Sequence, residues 1–214
     1  QVGRVDMYQI PAFGGDEVNL LTTYLNKVTN FKKKGFVPQN KAFVRNAWNN
    51  NGWSHGKGAL SVLPSLFNSN NVTVNNTYEN FNFMSIFSGG QTYLWATGGY
   101  NGGDVTSSAS NVLGSTAAAV STPWGAVFNS FIGSYLCEWN APNAYIKSLL
   151  ASGNAMVSIC NGPRYPYVHQ MGMGKNIGHS FRLSMNNTTS QYEPLGGIWD
   201  TNSERSVMTL FGDP

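Results

Sequence analysis

The sequence predicts an α/β sandwich, a mostly parallel β-sheet flanked by helices, and three observations lead there. Residues 128–137, 143–151 and 155–160 read as strand, helix and strand with short links, which is the pattern of a right-handed βαβ unit. The two strand candidates, FNSFIGSYLC and AMVSIC, are nearly continuous apolar runs, as expected where a parallel sheet is covered on both faces. Upstream, Val18, Leu21, Tyr24, Leu25 and Val28 recur at spacings of three and four, which gives one apolar helical stripe.

Taken in order, GRVDMYQIP reads as a short strand or edge segment ending at Pro11. Asp16 and Glu17 open the first helix and Lys32–Lys34 close it, each complementing the helix dipole, with Gly35 placed to stop it. That explains the lysine run as a solvated helix end rather than a phosphate site. Residues 40–56 have no clear period. Gly58–Phe67 suggests a short helix, Val72–Val74 a brief strand, and Gln91–Ala96 a better one, β-branched and aromatic, running into Thr97-Gly98-Gly99 and a glycine-rich loop. Residues 111–128 are small and apolar and include a short helix. Phe128–Cys137 reads as a buried strand, 143–151 as a helix ended by Gly153, 155–160 as a second buried strand, and 170–185 as a helix. With no internal repeat and no linker, residues 1–214 read as one domain.

Bulk composition narrows the function classes. The 214 residues are 41% hydrophobic but only 11% charged, against about 25% charged in an average domain. Asn, Ser, Thr and Gly supply the polarity, a surface more common outside the cell than in the cytosol. A net charge of +3 is too small to argue for nucleic acid, and no stretch is apolar for long enough to span a membrane. Two cysteines exclude a disulfide-dense scaffold and a four-cysteine zinc site. GMGKNIG lacks the phosphate-loop frame, no dinucleotide fingerprint follows a strand, and no cluster has metal-ligand spacing, so neither cofactor nor metal is expected. Sequons at Asn71, Asn75, Asn186 and Asn187 are expected by chance in so Asn-rich a chain.

Candidate chemistry gathers where parallel strands end. Three ends qualify: Thr97–Gly99, Cys137–Trp139 and Cys160–Gly162. A cysteine hydrolase needs a thiolate at one end and an imidazole beside it, with backbone N–H groups at a glycine turn to hold the oxyanion. Cys137 is the thiol candidate, and Gly98, Gly99 and Gly133 are the oxyanion and rim candidates. The imidazole is the difficulty. The chain has three histidines, and none ends the 91–96 strand. His55 lies in an irregular stretch before that strand, His169 follows a Tyr/Pro-rich loop, and His179 reads as a helix-face residue.

A family resemblance follows from the same residues. VGRVDMYQIPAFGGDEVNLLTTYLNKV resembles the segment of gingipain-like, C25-type cysteine peptidase domains with GR-[IV], an acidic helix start and L-x-K-V. SYLCEWNAPNAYIKSLLASGNAMVSIC is similar to that family's cysteine-bearing strand, helix and next strand, and LFGDP to its closing GDP-[TS]-L. Residues 148–187 look closer still to a subgroup of large secreted bacterial proteins with a caspase-like module of no assigned activity. The resemblance implies a caspase-like fold and a catalytic pair, His-Gly at one strand end and Cys at the next. Cys137 matches the cysteine. The His-Gly pair should fall at Thr97-Gly98-Gly99, where no histidine stands, and His55-Gly56 comes too early.

The resemblance also implies a portion of a larger polypeptide, and an opening on Gln1 rather than Met agrees. The expectation is a catalytically degenerate caspase-like domain of a secreted or cell-surface bacterial protein. It would act as a structural or binding module whose partners are other chains, segments of the same polypeptide, a peptide or a glycan. Two alternatives stay open: an active cysteine endopeptidase with Cys137 as nucleophile and His55 or His169 recruited, or a subunit of an extracellular filament or surface assembly. A Cys137–Cys160 disulfide, which would abolish nucleophilicity, is open too because both cysteines end neighbouring strands, although parallel neighbours rarely offer the geometry.

Overall fold

A computed structural model describes residues 3–46, 55–76, 81–99, 114–161, 165–186 and 208–213. Its strands are β1 (Ala42–Asn46), β2 (Val72–Asn75), β3 (Tyr93–Gly99), β4 (Ala126–Ile132), β5 (Val157–Cys160) and β6 (Thr209–Gly212). They form one sheet in the order β2-β1-β3-β4-β5-β6, parallel except for the antiparallel edge strand β6. The helices are α1 (Glu17–Lys32), α2 (His55–Val62), α3 (Pro64–Phe67), α4 (Thr116–Ser121), α5 (Tyr145–Ser148) and α6 (Ile177–Asn186).

The helices cover both faces of the sheet. Alternate strand residues such as Phe43, Ala96, Val127 and Phe131 pack with Tyr24 and Val28 of α1, Ala119 of α4 and Tyr145 of α5. The opposite set, Val44, Trp95, Val157 and Ile159, packs with Val62 of α2, Phe67 of α3 and Phe181 of α6. Strands buried on both faces explain the continuous apolar runs. The first face is rich in aromatic rings. Trp124 lies stacked on Phe83, with ring centroids 5.6 Å apart, and meets Phe87, Phe131 and Tyr145 edge-on.

The first helix forms as its sequence signals require. Asp16 accepts a hydrogen bond from the Asn19 N–H as N-cap. At the other end the left-handed residue is Lys34, at φ 59°, not the expected Gly35. The Lys34 N–H donates to Phe31 O and the Gly35 N–H to Asn30 O, which closes a Schellman motif. A Cβ on Gly35 would meet Asn30 Oδ1 at 2.1 Å, so any larger residue there requires the exposed Asn30 side chain to turn away. Within the predicted stripe Tyr24 and Val28 are buried and Leu21 packs against the core, whereas Val18 and Leu25 are exposed and Leu20 and Phe31 pack instead.

Other boundaries differ from the sequence reading. β1 was not anticipated. Of the two forms expected for the N-terminal segment, a short strand or an edge segment, its described residues take the second, with one bridge from Arg4 to Phe211 of edge strand β6. β4 stops at Ile132 rather than at Cys137, because Gly133 begins a turn in which Tyr135 takes φ 64° and the Glu138 N–H donates to Tyr135 O. The predicted 170–185 helix is two pieces, a 3₁₀ segment Val168–Met173 and then α6, separated at left-handed Gly174. LFGDP supplies most of β6.

Lys27 joins α1 to the end of the α5 layer. Its ammonium donates to Leu150 O at 2.8 Å and Ser152 O at 3.3 Å. Burial lowers this amine from 10.5 to about 7. Between those values the unfolded chain holds a proton that the folded chain has released, so this group makes stability rise with pH, by up to about 1.4 kcal/mol per pH unit. Burial lowers the Lys147 amine in the same sense, with Asp6 opposing. Lys27→Met is expected to flatten the rise in the urea midpoint across about pH 7–9. An unchanged slope would contradict the assignment.

Candidate functional site

The order β2-β1-β3-β4-β5 places a topological switch point between β1 and β3, and a doubly wound sheet receives ligands beyond the carboxyl ends of its strands at such a point. Four chain segments converge there. Arg45 pairs in register with Gly98 and Asn46 with Gly99. Gly98 and Gly99 lie level with Phe131 and Ile132 of β4, and Phe131 with Cys160 of β5. The expected convergence of the 97–99 and 131–137 segments is therefore observed, and Gly133 follows directly on the β4 end, where it accepts the Leu136 N–H at 3.3 Å.

On the α1 face of this rim, the turn after β4 folds Cys137 back over the sheet, and Cys137 and Cys160 are joined by a disulfide with Cα atoms 5.5 Å apart. The expected obstacle, poor geometry between parallel neighbours, does not arise, because Cys137 lies beyond the strand on a turn. Trp139 follows, with the Arg4 guanidinium 3.7 Å from its ring centroid. Arg45 lies on the same face, fully buried, within hydrogen-bond reach of the Asn75 amide oxygen and 4.7 Å from the Phe81 ring. A charge this deep needs such partners to offset its desolvation.

The opposite face of the rim is a buried polar cluster. Thr97 Oγ1 donates to Ser130 O at 2.7 Å, and Asn161 Nδ2 donates to Ser130 Oγ at 2.6 Å. Tyr165 packs beneath them, so close to α2 that a Cβ on Gly58 would meet its own Cβ at 2.6 Å. Burial raises the Tyr165 hydroxyl well above the usual phenol range, while hydrogen bonds with Thr97, Trp95 and Ser130 pull the other way. It is therefore a neutral hydroxyl at physiological pH. The Oδ1 atoms of Asn46 and Asn161 are buried without a hydrogen-bond partner among the described residues.

Of the histidines, His169 and His179 have described side chains. His55 begins α2, and its side chain lies outside what the structure describes. His169 is half-buried in the 3₁₀ segment, its Nε2 3.4 Å from Gln170 Nε2 and its ring beside Tyr167. That segment runs from Tyr165 toward Met171 and Lys175, which border the amino ends of β4 and β5. His179 lies on α6, its N–H donating to the Asn176 side chain. No hydrogen bond joins either described imidazole to Cys137 among the described residues. No cluster of three or more His, Cys, Asp or Glu able to hold a metal occurs among the described residues, and no described helix is long and apolar enough to cross a membrane.

Arg45, Asn46, Ser130, Asn161 and Tyr165 were not singled out from sequence. Arg45 and Asn46 were hidden with β1, and the others look like ordinary polar residues until strand register aligns them. No protein-family model, no curated protein and no solved structure matches the chain.

Proposed function

We propose that the chain is a non-catalytic caspase-like domain of gingipain type, a structural or binding module of a secreted or cell-surface protein. The observation that carries this reading is the Cys137–Cys160 disulfide, which takes up both cysteine sulfurs of the chain, the nucleophile candidate Cys137 included. A thiolate is needed to attack a carbonyl, and a sulfur in a disulfide has none. A disulfide also suits an oxidising compartment outside the cytosol. The mostly parallel sheet with helices on both faces is compatible with the caspase-like class. The absence of histidine at Thr97-Gly98-Gly99 points the same way.

A binding role is supported by the polar face of the rim. The amide oxygens of Asn46 and Asn161 have no donor among the described residues, and buried polar atoms without partners are uncommon. Backbone N–H groups of a peptide or hydroxyls of a glycan supply such donors.

The discriminating experiment is thiol chemistry on the intact chain. Maleimide labelling under denaturing conditions, read by mass spectrometry, is expected to find no free thiol before reduction and both cysteines after it. A peptidyl chloromethyl ketone is expected to leave the protein unmodified with or without reductant. An adduct on Cys137 that disappears in Cys137→Ala would overturn the proposal in favour of the endopeptidase.

A further inference from the structure

Lys32, the first residue of the Lys32–Lys34 run, and Lys175, the lysine of GMGKNIG, border one cavity. It lies at the amino ends of β4 and β5, at the opposite end of the strands from the rim described above. Its volume is about 240 Å³. Phe31 of α1 and Ile177 of α6 border it from the two helical layers, and Met156 and Met171 contribute further apolar walls. The polar groups that border it are Lys32, Lys175, Asn176 and Asp213.

The charges there are unequal. Lys32 is ion-paired with Asp213. Asn176 is occupied in accepting the His179 N–H. Lys175 is exposed and makes no ion pair among the described residues, and Lys33 and Lys34 follow Lys32 directly. An apolar interior bordered by one neutralised and one unmatched lysine is complementary to a molecule with an apolar body and a single negative charge.

We propose that this cavity binds a small amphipathic anion, an unbranched carboxylate of about eight carbons, with its chain between α1 and α6 and its carboxylate at Lys175. A medium-length chain is chosen because the volume of about 240 Å³ is several times the roughly 30 Å³ share of one water molecule in the liquid. The proposal does not depend on the reading of the carboxyl rim, and either can fail without the other.

Isothermal titration of the intact chain with hexanoate, octanoate and octan-1-ol tests it. Octanoate is expected to bind saturably, and more tightly than hexanoate by roughly fourfold for each added methylene. Octan-1-ol should bind about two- to fivefold more weakly than octanoate, the scale of one exposed ion pair. Lys175→Met keeps the apolar stem and is expected to erase the preference for the carboxylate while leaving octan-1-ol unchanged. Met171→Trp, which fills the cavity from its half-buried side, is expected to weaken both. No saturable octanoate binding, no dependence on chain length, a carboxylate preference that survives Lys175→Met, or full binding in folded Met171→Trp would each overturn the proposal.

Discussion

Trp124→Ala is expected to destabilise the protein by about 4–8 kcal/mol, which would leave much of the chain unfolded at room temperature. The lower part of that figure is the cavity, since removing a large buried aromatic side chain costs about 3–5 kcal/mol. Trp124 is fully buried, with its ring against Phe83, Phe87, Phe131 and Tyr145, so there is little room for its surroundings to collapse into the gap. The remainder comes from a hydrogen bond. Trp124 Nε1 donates to Asn129 Oδ1 at 2.6 Å, while the Asn129 amide group reaches the carbonyls of Ala126, Val127 and Val157. Without the indole, a buried acceptor is left unpaired, at about 1–3 kcal/mol. Trp124→Phe separates the two contributions, because it keeps most of the ring and loses the donor. Urea unfolding followed by circular dichroism measures both variants. A loss below about 2 kcal/mol for the alanine variant would mean that the aromatic face is not packed as described.

What the sequence could convey follows from which interactions are local. α1 was legible because its N-cap, its periodic apolar positions and its basic end are all written in one continuous stretch of sequence, each signal within a turn or two of the residues it acts on. β2, β3 and β5 were legible as β-branched and apolar runs. β1 was not, because Ala-Phe-Val-Arg-Asn mixes a charge and an amide into a strand buried on both faces, and the partners that help Arg45 to be tolerated there include Asn75 and Phe81, which are distant in sequence. The extent of β4 was overread because Tyr135 and Leu136 continue its apolar character after Gly133 has turned the chain. The same holds for the rim. Cys137 and the 97–99 strand end were correctly brought to one edge of the sheet, whereas Ser130, Asn161 and Tyr165 acquire significance only through register and through a loop that returns across the opposite face. Missing β1 also hid the switch point, which is defined by where β1 lies relative to β3.

Removing the Cys137–Cys160 bond by the double substitution Cys137→Ala, Cys160→Ala is expected to lower stability by about 3–4 kcal/mol. The cysteines are 23 residues apart, and closing a loop of that length in the unfolded chain accounts for about 3 kcal/mol of the difference. The bond also ties the turn after β4 to the sheet, and that turn holds Tyr135 at positive φ and presents Trp139 to Arg4. A chain of this size should melt roughly 6–16 °C lower, at about 2–4 °C per kcal/mol. The control is reduction. Dithiothreitol should bring the wild-type chain close to the double variant and leave the variant itself unmoved, with both single substitutions falling near the double one because either abolishes the crosslink. A double variant as stable as the wild type under oxidising conditions would mean that the bond does not form in solution. Cys137 would then be a free thiol beside the Asn161 carbonyl at the carboxyl rim, and the case for a non-catalytic domain would rest on the missing histidine alone. A loss of the expected size, reproduced by reductant, would instead place this cysteine's contribution in holding the rim together.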